Sequence, residues 1–312
     1  MKALAVDLGG SHASIALVEE QRILAKEELA LDAAEGLVNV LPLFADAFRR
    51  LTNLCGTRIS DCAGIAISSC GLIDSKAGKF LSTNGKWDDA LTLDLPAWGR
   101  ETFGLELRIE NDARMALLGE WYAGAAQNFT EVVMVTLGTG IGGAAMIGGK
   151  LLRGKHSQAG NLGGHIPVLF TGRKCMCGAY GCAEAEAGGW SMPLVARESS
   201  GFASSALARE PELNFEALFR NAAAGDQVAC EVRDRCIRVW AATAVGLVHS
   251  FDPEVVVFGG GVMRSADVIL PCIQSYVAEH AWTPWGKVKV AAARLGNDAG
   301  LLGAIPLLTN QN

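Results

Sequence analysis

The chain opens on short apolar blocks separated by glycine turns. Ala3-Leu4-Ala5-Val6 closes on Asp7, Leu8-Gly9-Gly10-Ser11 follows, and Ala13 to Val18 returns as a second apolar run. Short apolar runs bounded by glycine predict two buried strands joined as a hairpin. Residues 132–147, VVMVTLGTGIGGAAMI, repeat that plan, with Val6-Asp7-Leu8-Gly9-Gly10-Ser11 aligning on Val135-Thr136-Leu137-Gly138-Thr139-Gly140. A unit used twice predicts two similar α/β domains. Between the copies, apolar residues at 37, 40, 41, 44, 47, 48 and 51 predict a helix over 37–54 with one buried face. Further strands are predicted at 64–69, 105–110, 253–258 and 288–292, a helix from Ala113 to about Tyr122, and helices over 215–223 and 228–249. The apolar face of that last helix reads as Val232, Cys236, Val239, Ala242, Val245 and Val248, and Asn297 to Gly300 opens a final helix of small residues. No low-complexity linker marks a boundary. The repeat places it near Asn111, giving a smaller domain of 1–111 with 299–312 and a larger one of 112–298.

The turns have two readings. Gly-Gly between strands brings backbone N–H groups close to an anion, and a carboxylate ending the first strand, Asp7, is placed to hold a hydrated magnesium ion. An ordinary β-hairpin carries the same glycines. The second copy favours the first reading, with one nucleotide in a cleft between two domains. Gly259-Gly260-Gly261 again permits close approach of a ligand, and Ser69-Cys70-Gly71 is a tight turn after a strand. Asn84 and Trp87, in the loop STNGKW, read equally as a turn residue and a core anchor or as ligand contacts. Asn111 and Asp112 stand where a strand meets a helix. Either is a natural helix cap, and Asp112 is also placed to take a proton from a substrate hydroxyl.

Residues 159–186, AGNLGGHIPVLFTGRKCMCGAYGCAEAE, show neither helical nor strand periodicity. They hold His165 and then three thiols within eight residues, Cys175, Cys177 and Cys182. Soft thiolate and imidazole ligands in a glycine-rich loop predict a zinc knuckle that holds irregular chain rigid. The other six cysteines are scattered singly, with no disulfide framework, and read as reduced in the cytoplasm. A net charge of −6 without a stripe of Lys and Arg speaks against nucleic acid or an anionic membrane. No run of eighteen apolar residues predicts a membrane span, and no signal peptide is recognised. A small-molecule enzyme of two domains is the expectation.

Taken together, these residues resemble the ROK family of bacterial sugar kinases and sugar-responsive repressors. The pieces occur in order: Asp7-Leu8-Gly9-Gly10-Ser11, Asn84 with Trp87, Glu110-Asn111-Asp112, Gly138-Thr139-Gly140, Cys175-x-Cys177-Gly178-x-x-Gly181-Cys182-x-Glu184, and Gly259-Gly260-Gly261. The resemblance implies two ribonuclease-H-like domains, of the actin and hexokinase ATPase type, around a central cleft. It implies ATP-dependent phosphorylation of a hexose of the glucose type at O6, with Asp112 as general base. Gly71, Asn84, Asn111, Asn161, His165 and Glu184 would meet the sugar. Asp7, Gly9, Gly10, Ser11, His12, Gly138, Thr139, Gly140, Gly259, Gly260 and Gly261 would meet Mg-ATP. His165, Cys175, Cys177 and Cys182 would close a structural zinc site, and the family is commonly homodimeric.

Three departures stand out. Asn161-Leu162-Gly163-Gly164-His165 carries an amide in place of the family's glutamate and one extra glycine; Ser11-His12 replaces Thr-Lys; and Ser69-Cys70-Gly71 replaces a Pro-Gly turn. The competing expectations are a sugar-binding sensor without chemistry and a transcriptional regulator. The second is disfavoured because such repressors carry a helix-turn-helix domain ahead of a hairpin that here begins at residue 3.

Overall fold

The computed structural model describes residues 1–161 and 163–309. Leu162 and the expected tail residues 310–312 lie outside the described residues. The chain divides into two compact units, one of Met1–Asn128, Lys150–Asn161 and Arg294–Asn312, the other of Phe129–Gly149 and Leu162–Ala293.

The first unit is built on the strands β1 (Lys2–Leu8), β2 (His12–Glu19), β3 (Arg22–Ala30) and β4 (Cys62–Ser69), the small hairpin β5 (Leu72–Asp74) and β6 (Lys79–Ser82), and β7 (Leu107–Asn111). Its main sheet runs β3-β2-β1-β4-β7, antiparallel from β3 to β1 and parallel from β1 to β7. Helix α1 (Leu37–Leu54) lays Phe44 and Phe48 on Leu4, Val6, Ile15 and Leu17, the buried core anticipated from its spacing. Helix α2 (Leu95–Phe103) starts at Asp94, whose Oδ1 accepts from the Ala97 N–H, and stops at Gly104 in the left-handed region. Helix α3 (Asp112–Ala123) follows β7. The short strand β10 (Lys150–Leu151) opens the segment that runs to Asn161.

The second unit contains β8 (Val132–Leu137), β9 (Ile141–Ile147), α4 (Ala183–Ala187), α5 (Met192–Glu198), α6 (Phe215–Ala223), α7 (Gln227–Phe251), β11 (Val255–Gly259), α8 (Ala266–His280) and β12 (Lys289–Ala292). Its strands include the order β9-β8-β11-β12, antiparallel then parallel, which repeats β2-β1-β4-β7. The duplication seen in the two glycine turns therefore extends through both sheets, in the two-domain α/β class anticipated.

Three expectations change. The helix after Asn111 belongs to the first unit, because α3 packs on α9 (Ala299–Leu302) and α10 (Ala304–Thr309) of the same unit. Residues 159–186 are not irregular throughout: Ala183–Ala187 is helical, too short to show a period. On α7, Trp240, Ala244 and Leu247 are buried while Val239, Ala242 and Val245 are only half-buried. The helix packs against α4, α5, α6 and α8, so its buried arc is wider than one stripe.

Candidate active site

In the first unit, strand register brings distant motifs into one row. Asp7 of β1 pairs with Ser68 of β4, and Ser68 and Ser69 pair with Glu110 and Asn111 of β7. The Ser68 hydroxyl donates to Asp7 Oδ1 at 2.6 Å. Burial raises the Asp7 carboxyl above its ordinary range, against the lowering effect of that bond. The question of which residue caps α3 resolves in favour of Asn111. Its Oδ1 accepts from the N–H groups of Ala113 and Arg114 at 3.0 and 3.3 Å, while its Nδ2 donates to the Gly71 carbonyl and to Asp112 Oδ1 at 3.1 and 2.8 Å. Asp112 is thereby held at the first helical position. It keeps an open face to solvent, yet crowding by protein pushes its carboxyl up to about 6, with the Asp7 charge adding and the Ala113 N–H, Asn111 and Lys86 opposing.

Glu110, the first member of that triplet, is fully buried and serves structure. It accepts from the Asn111 N–H at 3.0 Å and from Arg153 Nε at 2.7 Å, and pairs with the buried Arg114 at 3.4 Å. Of the two undecided residues in the STNGKW loop, Trp87 is a buried anchor: it adopts φ +57° and its indole N–H donates to the Gly9 carbonyl at 2.9 Å. Asn84 is exposed, at φ +55°. Lys86, which no sequence signal marked, lies over the first turn. A methyl group on Gly10 would meet its Cδ and Cε at 3.0 Å and its Nζ at 3.2 Å. Ser11 and His12 are exposed, with Ser11 Oγ and His12 Nδ1 3.4 Å apart.

The two glycine turns share a further feature. The carbonyls of Gly10 and Ser11 accept from the N–H groups of Ala33 and Leu31, at 3.2 and 2.9 Å. Those of Gly138 and Thr139 accept from Gly189 and Trp190, at 3.1 and 2.9 Å. Each turn thus has its acceptors occupied, which removes the groups that would repel a phosphate. At the second turn Glu184, carried by α4, accepts from the Ile141 N–H at 2.8 Å and from the Trp190 indole at 3.1 Å. Gly260 stands at φ +91°, where a Cβ would fall 2.2 Å from the Leu137 carbonyl, so no other residue fits there.

Beside this turn the second unit holds a cavity of about 730 Å³, lined by Gly138, Thr139, Gly261 and, among apolar groups, Leu213, Phe215 and Phe219. The glycines were legible in the sequence. Trp190, the 213–219 stretch and Val262 were not, since nothing local distinguishes them from core residues. Gly140, Gly259 and Gly260 are absent from that lining, Gly259 being the last residue of β11.

The structure brings the four expected ligand residues together. Cys175 Sγ lies 3.4 Å from His165 Nδ1 and Cys177 Sγ lies 3.6 Å from Cys182 Sγ, and the four ligand atoms fall within 4.8 Å of one another. A tetrahedron with Zn–S of about 2.3 Å and Zn–N of about 2.0 Å separates S from S by about 3.8 Å and S from N by about 3.5 Å. The donor set therefore fits zinc, with His165 Nδ1 as the ligating nitrogen. The extra glycine is taken up in the single helical turn Gly163–His165, so His165 still reaches the thiols. Asn161 is buried, in a turn where its N–H donates to the Gln158 carbonyl at 3.2 Å.

Known proteins resemble this chain over nearly its whole length. A glucokinase of Thermotoga maritima is 32% identical over 99% of this chain and 97% of its own. A ROK hexokinase from Thermus thermophilus superposes with a TM-score of 0.82 at 31% identity, covering 98% and 97% of the two chains. A ROK family glucokinase from Streptomyces griseus, solved with glucose and AMPPNP, gives a TM-score of 0.76 at 28% identity over 98% and 99%. Residues 3–311, nearly the whole chain, match the model of the ROK family, and the chain belongs to the ROK family.

Proposed function

We propose that this protein is an ATP-dependent sugar kinase that phosphorylates a hexose of the glucose type at O6. The observation that carries the reading is Asp112, fixed by Asn111 at the start of α3 and shifted to about 6, close to but below neutral pH. A base with that value is ionised at pH 7 and still basic enough to take the proton of an attacking hydroxyl.

Asp112 accepts that proton as the hydroxyl oxygen approaches the γ-phosphorus. Phosphoryl transfer needs alignment and charge neutralisation more than covalent help. The N–H groups of Gly10, Ser11, Thr139 and Gly140 serve as phosphate donors, while those of Gly9 and Gly138 close their own turns on the His12 and Gly140 carbonyls at 2.9 and 3.0 Å, and Lys86 supplies positive charge near the first turn, beside His12. Asp7 would hold magnesium, since one carboxylate beside phosphate oxygens suits that ion; magnesium supplies neutralisation of the phosphate charge. Gly259, Gly260 and Gly261 let the nucleotide approach, and Phe215 and Phe219 offer its base an apolar wall. Gly71, Asn84, Asn111, Asn161, His165 and Glu184 are assigned to the sugar. His165, Cys175, Cys177 and Cys182 would hold a structural zinc ion. With Nδ1 on the metal, His165 keeps Nε2 for a hydroxyl. A cytoplasmic homodimer belongs to the same reading, and sedimentation tests the assembly.

The experiment is a hexose panel with Mg-ATP and ADP release as the readout. Turnover on a glucose-type sugar that Asp112→Asn abolishes supports the proposal. Sugar binding by calorimetry with no ADP formed identifies a sensor instead, and full turnover in Asp112→Asn sinks the general-base role.

A further inference from the structure

We propose that the first unit carries a second ligand site, a cavity between the β5–β6 turn, α2, β7 and the segment after β10, which binds a phosphate-bearing small molecule. The cavity measures about 630 Å³ and is lined by Lys76, Arg100, Arg108 and Arg153 against a single acid, Glu106. The chain as a whole is acidic, with a net charge of −6, so four cations converging on one recess run against its average. Glu106 and the buried Glu110 offset Arg108 and Arg153, so Lys76 and Arg100 are the two charges that an added anion would join.

Two of the four are fixed in place. Arg153 donates through Nε to the buried Glu110 at 2.7 Å, and Arg108 donates to Glu106 at 2.7 Å and to the Leu307 carbonyl at 2.8 Å. A guanidinium held along one edge is an oriented fork for an oxyanion, with less freedom to lose on binding than a solvated chain. The other two, Lys76 and Arg100, form no ion pair among the described residues. They are exposed at the rim and free to close on a ligand. Ser75 adds a hydroxyl, while Pro96, Leu107 and Leu307 give the recess an apolar portion. That mix, and a volume larger than a bare phosphate needs, points to a phosphate monoester with a small organic body. None of these side chains is among those assigned to the sugar or the nucleotide, so the site goes beyond the kinase reading and its binding is measurable without turnover.

The test is calorimetric titration of the full chain with inorganic phosphate and with glycerol 3-phosphate, at constant ionic strength because exposed cations are screened by salt. The wild type, Lys76→Ala/Arg100→Ala and a control, Arg58→Ala, are compared after thermal melts establish that all are folded. Saturable binding of glycerol 3-phosphate that weakens about tenfold or more in the double variant, and stays unchanged in the control, supports the site. Equal binding of inorganic phosphate with the same dependence on Lys76 and Arg100 also supports it and identifies the bare anion as the ligand. Binding of equal strength in the wild type and the double variant overturns the proposal, as does the absence of saturable binding by either probe.

Discussion

The indole N–H of Trp87 donates to the carbonyl of Gly9 across 78 residues of sequence, at 2.9 Å. This bond fastens the STNGKW loop to the first glycine turn. Trp87→Phe keeps the aromatic volume in large part but strands a carbonyl. Stability should fall by about 1–3 kcal/mol, the cost of an unmade buried hydrogen bond. Chemical denaturation measures the loss, and the KM for ATP should rise more than that for sugar if the turn meets phosphate.

Asp112 gives a pH prediction whose sign is fixed by its environment. Its carboxyl titrates near 6 in the folded chain, above its ordinary value of 3.8. Activity should therefore rise through an acid limb centred near pH 6. A raised folded value means the neutral form is favoured by folding: the group's contribution to stability is present below about pH 3.8 and is lost as pH rises through about 6. Asp112→Asn should lower kcat by about 100- to 10,000-fold, as for other general bases. It should also raise the melting temperature relative to wild type at pH 7.5 by more than at pH 4.5. A variant equally stable relative to wild type at both pH values would contradict the raised pKa.

Lys86 adds charge where Ser11-His12 supplies little. Lys86→Ala should reduce kcat by about 100-fold, the scale seen when one donor to developing charge is removed. The KM for sugar should hold, and the acid limb should move to higher pH because the Lys86 ammonium lowers the Asp112 value. Lys86→Arg should restore most of the rate. A uniform loss of rate with an unmoved pH profile would assign Lys86 a merely structural part.

The knuckle predicts about one zinc per chain, lost in Cys177→Ser and retained in Cys272→Ser, an exposed cysteine outside the cluster. Metal analysis of protein purified without added zinc reads this directly. Loss of zinc should lower the melting temperature, since the segment from His165 to Cys182 carries few apolar contacts of its own.

What the sequence made legible was local. Glycines between two apolar runs, and three thiols in eight residues, keep their meaning whatever the rest of the chain does. The Asn111-Asp112 pair was visible as a junction, but only the hydrogen bonds show that Asn111 does the capping and leaves Asp112 for other work. Lys86 and Trp190 were silent because their positions depend on strand register and on packing of segments far apart in sequence. Glu110 was visible as a motif member, while its partners Arg114 and Arg153 lie 4 and 43 residues on, and only the second distance needed the fold to be closed.

Arg114 has a consequence of another kind. Its guanidinium is completely buried, and Nη2 reaches the carbonyls of Ser157 and Ala159 at 3.0 and 2.9 Å. With Arg153 on Glu110, this staples both ends of the exposed stretch around Lys155 and His156 to the first unit. A trypsin nick after Lys155 should therefore leave the pieces joined through native purification and part them only in denaturant, so the covalent chain there is dispensable once folding is complete.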